Sequence, residues 1–178
     1  MRVVATEYIS LDGVFEEPGE WSFPFFNEQA SQFKYNELFA SDALLLGRKT
    51  YDGFAAAWPT MEGTGDFGKR MNTMPKYVVS STLHTLDWPG SQLITVDEIG
   101  KLREQPGRDV LLSGSGQLFN TLAEADLIDL YRFMLHPIVV GGGQQRLYPE
   151  GSGRKNLELT HSETFDSGIV ILEYERAA

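Results

Sequence analysis

Two stretches of this chain join a short apolar strand to a glycine-bearing turn and an immediate helix, and that combination constrains the fold more than any other feature. In the first, Ala43–Leu46 reads as a continuous apolar run of the kind a buried parallel strand needs. It ends in Gly47-Arg48-Lys49-Thr50, and a short helix runs from Tyr51 until Trp58-Pro59 stops it. In the second, Asp109–Leu112 is strand-like, and Ser113-Gly114-Ser115-Gly116 leads into a helix bearing Leu118, Phe119, Leu122 and Ala123. Strands that alternate with helices require crossover connections, and these imply a largely parallel sheet.

The remaining segments fit one α/β domain spanning residues 1–178. Arg2–Ser10 is rich in β-branched and apolar residues and reads as a first strand. A loop follows from Leu11 to about Pro24, with Asp12-Gly13 and Pro18-Gly19 as turn signals. Asn27 is placed to cap a helix on which Phe26, Ala30 and Phe33 recur at helical spacing. Thr60–Pro75 is rich in Gly, Thr and Met without a clear period, and reads as loop with a helical turn at most. Tyr77–Ser80 is a short strand, Asp97 caps a helix through Arg103, and Leu130–Val140 is a long apolar strand region closed by Gly141-Gly142-Gly143. The end reads as an antiparallel hairpin: Leu157–Phe165, an Asp166-Ser167-Gly168 turn, then Ile169–Tyr174.

Composition narrows the chemistry. At 178 residues the chain can bury roughly 70% of its unfolded surface, so it needs no staples. The absence of cysteine excludes disulfides, thiolate nucleophiles and Cys-based metal sites. His84, His136 and His161 match no metal-ligand spacing, and none is expected to hold a metal. His136, just before Pro137 in an apolar strand, reads as a core or edge histidine. A net charge of -10 argues against nucleic acid or an anionic membrane surface as partner. No signal peptide or apolar run of ~18 residues is present, so a cytoplasmic location is expected.

Three places in this acidic chain offer groups to an anion. The Ser113–Leu118 turn frees backbone N–H groups at a helix start, and its glycines admit close approach; a tight strand–helix turn is the other reading. At Gly47–Thr50, Arg48 can grip a phosphate bidentately, or be part of a solvated basic pair. Ser80-Ser81-Thr82 offers three hydroxyls at a strand end, or simply forms a turn. Gly63–Arg70 nearly spells a P-loop but lacks the final hydroxyl and a preceding strand. Glu16, Glu17 and Glu20 read as a solvated acidic face.

Taken in order, Ser10-Leu11-Asp12-Gly13, Asp42–Thr50, Ser113–Gly116 and His136-Pro137 with Gly141 resemble the dihydrofolate reductase-like superfamily. They look most like its riboflavin-biosynthesis reductase branch. The resemblance covers the whole chain. It implies a three-layer α/β/α fold with a mixed, mostly parallel sheet of about eight strands and a C-terminal antiparallel hairpin. It also implies an NADPH-dependent oxidoreductase acting on a small heterocycle, similar to the 5-amino-6-(5-phosphoribosylamino)uracil reductase. By that resemblance Ala5 lies beside the nicotinamide, and Gly47, Arg48, Lys49 and Thr50 hold the phosphates. Ser80 and Ser81 meet the adenosine end, while Gly114, Ser115, Gly116, Gln117 and Leu118 cradle the diphosphate. The substrate cleft takes Asp12, Trp21, Gln29 and Phe33, beneath a closing loop from Leu11 to Phe26. True dihydrofolate reductases carry an acid on the first helix; alignment puts Gln29 or Ser31 there, neither an acid, and Glu28 points about 100° away. No catalytic residue is therefore named, and water delivers the proton. The alternatives are a dihydrofolate reductase using Glu28 and a non-catalytic NADP-binding module. A homodimer is expected from the superfamily.

Overall fold

The computed structural model describes residues 1–142 and 145–177, so Gly143 of the glycine run lies outside them. Eight strands form one sheet in the order β4-β3-β2-β5-β1-β6-β8-β7. In chain order the elements are β1 (Arg2–Ser10), α1 (Pro18–Trp21), a 3-10 turn over Phe23–Phe25, α2 (Glu28–Ala40), β2 (Ser41–Gly47), α3 (Arg48–Ala57) and α4 (Gly65–Thr73). Then come β3 (Lys76–Val79), β4 (Ser91–Leu93), α5 (Val96–Arg103), β5 (Asp109–Leu112), α6 (Gly116–Glu124), β6 (Leu130–His136), β7 (Leu157–Thr164) and β8 (Val170–Arg176). All neighbours from β4 to β6 run parallel, while β8 is antiparallel to both β6 and β7. This is the three-layer, mostly parallel arrangement expected, with the antiparallel hairpin at one edge.

Alternation along β1 decides which layer each helix joins. Val3 and Ala5 pack with Val110, Leu112 and the buried face of α6, namely Leu118, Phe119 and Leu122, together with Ile99 and Leu102 of α5. Val4 faces the other way, onto Leu38 of α2, Tyr51 of α3 and Met71 of α4. Thus β1 feeds a helix on one face and its neighbour β5 feeds α6 on the opposite face. Their carboxyl ends therefore part, and in open α/β sheets such a parting is where ligands bind.

Several sequence expectations change. Residues 60–75 contain α4, because Phe67, Met71 and Met74 form an apolar stripe that interspersed glycines disguise; Met71 and Met74 pack with Trp88. Gly68 is required there, since a Cβ would fall 1.8 Å from Thr64 Oγ1. The cap of α5 is Thr95 rather than Asp97, through a capping box with Glu98. Helix α3 begins at Arg48, not Tyr51, and β6 ends at His136, not Val140. Asn27 does cap α2, its side chain accepting the Ala30 N–H at 3.0 Å. No helix among the described residues is long and apolar enough to cross a membrane.

Phe119 has no exposed surface and meets Tyr131, Phe133 and Tyr148 at ring-centroid distances of 6.0, 6.4 and 5.5 Å. We predict that Phe119→Ala lowers stability by about 3–5 kcal/mol in urea unfolding. A loss below about 1 kcal/mol would show that this layer is not packed as described.

Candidate cofactor and substrate site

Register brings three chain segments level at the carboxyl edge of the sheet. Leu45 pairs with Leu112, and Ala5 pairs with the same Leu112. Two residues further along each strand, Gly47, Gly114 and Glu7 therefore stand in one row. The contacts agree: the Gly47 N–H donates to the Gly114 carbonyl at 3.4 Å, and the Gly114 N–H donates to Glu7 Oε1 at 3.1 Å.

The β2–α3 and β5–α6 turns fit into each other so closely that glycine is required. A Cβ at Gly47 would stand 2.3 Å from Ser115 Oγ, and one at Gly114, whose φ is +66°, would stand 2.8 Å from Thr50 Oγ1. Two helix N-termini thus open side by side. Gly116 and Gln117 at the start of α6, and Arg48 to Thr50 at the start of α3, carry N–H groups without intrahelical acceptors. Ser115 caps α6 by accepting the Leu118 N–H, and the Leu118 side chain is buried in the core, so Leu118 completes the turn rather than facing outward. Gln117 is exposed, and Phe15 lies over Gly116, where a Cβ would meet its ring at 2.2 Å.

Arg48 and Lys49 are exposed at the mouth, with Arg48 3.7 Å from Asp52 in a half-solvated pair of small energetic weight. Ser80 and Ser81 follow β3, the next strand out. The Ser80 hydroxyl accepts the N–H groups of Thr82 and Leu83 at 3.2 and 3.0 Å, so it holds the turn, while Ser81 is exposed. Ala5 is fully enclosed in the core beside Leu112. The β1 residue that borders the turn is Glu7, which sequence reasoning passed over. Its signal was a lone acid in a strand that beyond Arg2 is otherwise apolar or hydroxyl-bearing. Glu7 is 6% exposed, and burial pushes its carboxyl up to about 8, with the Gly114 N–H and Lys34 offsetting only part of that.

On the α2 side of β1 the cleft is aromatic. His136 is fully buried at the end of β6, with ring centroids of Trp21, Tyr8 and Phe25 at 5.2, 5.3 and 6.2 Å. Its Nδ1 donates to the Met134 carbonyl at 2.8 Å, which leaves Nε2 a neutral acceptor with no partner among the described residues. Burial holds its pKa below the usual histidine range. Trp21 is nailed down by its own N–H to the Glu16 carbonyl at 2.9 Å.

Asp12 is a loop anchor. Its carboxylate accepts the Ser10 hydroxyl at 2.6 Å and the N–H groups of Val140 and Gly141 at 3.1 and 2.9 Å, and these bonds hold it down at about 2. Gln29 does not line the cleft; its Oε1 accepts the Asp166 N–H at 2.8 Å and ties α2 to the β7–β8 turn. Phe33 packs on Phe165 at 5.9 Å under the Arg132 guanidinium. A polar α2 side chain that does reach β1 is Lys34, whose Nζ donates to Thr6 Oγ1 at 3.2 Å. Lys34 pairs with Glu37, which also pairs with Arg132 at 3.1 Å, and Arg132 with Glu173 at 2.6 Å. Burial opposes charge on Glu37, but Lys34 and Arg132 overcome it and keep this acid ionised.

A model of the RibD C-terminal domain family matches residues 2–171. The chain belongs to that family. Among relatives, YyaP of Bacillus subtilis (strain 168) is 29% identical over 183 residues, covering 97% of this chain and 94% of its own. A Shewanella sp. PV-4 protein provisionally named for riboflavin biosynthesis has a similar fold, with a TM-score of 0.79, 21% identity and full coverage of both chains. A dihydrofolate reductase from Enterococcus faecalis, solved with NADP(H), superposes with a TM-score of 0.66 at 15% identity, covering 99% of this chain and 97% of that one. The chain thus carries the RibD C-terminal domain and shares its fold with these two solved proteins.

The interlocked turns yield a direct test. Gly47→Ala should cost about 1–3 kcal/mol in urea unfolding, because the added methyl meets Ser115; a cost under about 0.5 kcal/mol would refute the close fit. His136 yields another. Its folded-state pKa lies below the unfolded value of about 6.5, so the folded protein binds this proton less tightly than the unfolded chain. Stability should therefore fall as pH drops from 7 towards 5.5, and His136→Asn should flatten that slope. An unchanged slope in the variant would contradict a buried neutral imidazole.

Proposed function

We propose that this chain is an NADPH-dependent reductase that passes a hydride to a small heterocyclic substrate, similar to the pyrimidine reductase of riboflavin biosynthesis. The observation that carries the reading is the row of interlocked turns. Gly47 and Gly114 lie in contact, two helix N-termini open beside them, and Arg48 and Lys49 stand at the mouth. Such a surface fits a dinucleotide diphosphate, because N–H groups and helix dipoles favour negative charge there and glycines let it approach. The family match and the NADP(H) held by the Enterococcus faecalis enzyme support the same cofactor.

When bound, NADPH supplies the hydride. The chain's own contribution is position. The Gly114–Gln117 turn would take the diphosphate, Arg48 to Thr50 the phosphate of the adenosine end, and Ser81 the outer rim. The loop from Leu11 to Phe26, anchored by Asp12 and closed by Trp21 over His136, excludes water from the reacting carbon. The proton is assigned to solvent. Glu37, the buried acid of α2, is ionised between Lys34 and Arg132, and Glu28 is exposed. Those placements count against dihydrofolate as substrate. Helix α4 runs towards the far edge, where Arg70 donates to the Ser41 carbonyl at the start of β2. That counts against a cofactor-binding module whose cleft is plugged by residues 60–75.

Calorimetric titration with NADPH and NADH tests the reading: micromolar binding with NADPH preferred is expected, and no binding of either overturns it. Arg48→Ala should weaken NADPH by roughly ten- to a hundredfold, about 1.5–3 kcal/mol, while leaving NADH nearly unchanged. Equal losses for both would remove Arg48 from the 2′-phosphate.

A further inference from the structure

Glu7 is a buried carboxyl that the proposed reaction does not use, and it sits in contact with the turn proposed to hold the diphosphate. Its Oε1 accepts the Gly114 N–H, and it is 6% exposed. Beyond Leu112, β5 has ended and turned away into Ser113–Gly116, so Glu7 stands level with the turn and touches it through the Gly114 N–H. A carboxylate in that place opposes the function of the turn. It would compete with a phosphate for the Gly114 N–H and would repel it at low dielectric. A neutral acid removes the repulsion, because it places no charge beside an anion, while its carbonyl oxygen still accepts the Gly114 N–H.

We propose, resting on the cofactor reading above, that Glu7 works at this site as a neutral carboxylic acid, so that binding NADPH takes up one proton when the free protein has Glu7 ionised. The charged and titratable groups around it fit that role. Lys34 and Glu37, both on α2, act on Glu7 with opposite signs and are paired to each other. Tyr148, in the segment after β6 and 43% exposed, has its hydroxyl pushed above the usual tyrosine range by partial desolvation, with Tyr131 and Glu7 adding to it. The turn from Ser113 to Leu118 and the overlying Phe15 contribute no ionisable side chain. Among the described residues Lys34 is the cation that acts on Glu7, and Glu37 shares it. With burial raising Glu7 to about 8, the free protein crosses from acid to carboxylate near that pH, and the bound dinucleotide moves the crossing higher.

The sign follows. The bound state holds the Glu7 proton more tightly than the free state, so affinity is constant below about pH 7 and falls as pH rises through 8. From pH 7 to 9 the loss should be about tenfold. Calorimetry of NADPH binding in two buffers of different ionisation enthalpy reads the proton count directly. Uptake close to zero at pH 6 and approaching one proton at pH 9 is the expected result. Glu7→Gln keeps an acceptor for the Gly114 N–H but has no proton to take up, so its NADPH binding should show no proton uptake at pH 9 and no loss of affinity between pH 7 and 9. Native binding that is tight but takes up no proton at pH 9 overturns the role of Glu7 and leaves the cofactor reading intact. Absence of NADPH binding at pH 6 overturns the cofactor reading, and this inference with it. Uptake that persists in a folded Glu7→Gln protein, as judged by its thermal melt, assigns the proton elsewhere and also overturns it. Measurement of the native protein alone suffices if the variant does not fold.

Discussion

The mutual fit of the β2–α3 and β5–α6 turns is the constraint on which the rest of this structure depends. Because Leu45 and Ala5 both pair with Leu112, the neighbours of β5 reach the sheet edge at the same height. A bulge between Ser41 and Ala43 sets that register on the β2 side. Gly47 and Gly114 must then be glycines, because Ser115 and Thr50 occupy the space a side chain would take. The consequence is chemical as well as steric. Two helices start from adjacent points, so their unpaired N–H groups and dipoles converge on one patch of an acidic protein.

Electrostatics inside the layer beneath α2 follow a different logic. Lys34, Glu37, Arg132 and Glu173 form a chain of alternating sign across α2, β6 and β8. Two cations and two carboxylates cancel, and each group's partner compensates its loss of water. Lys34 also lies 5.3 Å above the Tyr8 ring. The arrangement holds α2 to the sheet and keeps Glu37 ionised. Cationic charge at the edge where the two turns meet is thus supplied by Arg48 and Lys49, which stand exposed at the start of α3.

Much of this was legible in the sequence. The bounds of β1 and β5 follow from apolar runs between turn signals, and Asn27 marks the start of α2. The two glycine turns were visible because a strand, a turn and a helix occur without a gap. What sequence could not supply was register and facing. Glu7 gains its place from pairing with β5, a strand more than a hundred residues away, and nothing in Arg2–Ser10 announces that. Gln29, expected in the cleft, ties α2 to the β7–β8 turn while Lys34 reaches Thr6 of β1, because packing, not spacing alone, decides which side of α2 meets β1. The stripe of α4 was hidden because glycines within and around it lower helix propensity, while burial of Met71 and Met74 against Trp88 overrides it.

The measurement that bears most directly on this account is a map of backbone amide shifts in labelled protein as NADPH is added. The account predicts the largest changes at Gly47–Thr50 and Gly114–Gln117, with smaller ones at Ser81. A separate hollow, about 540 Å³ in volume and lined in part by Ile9, Phe133, Leu135, Leu172 and Tyr174, should stay unchanged. Changes concentrated in that hollow, with the two turns silent, would contradict the account.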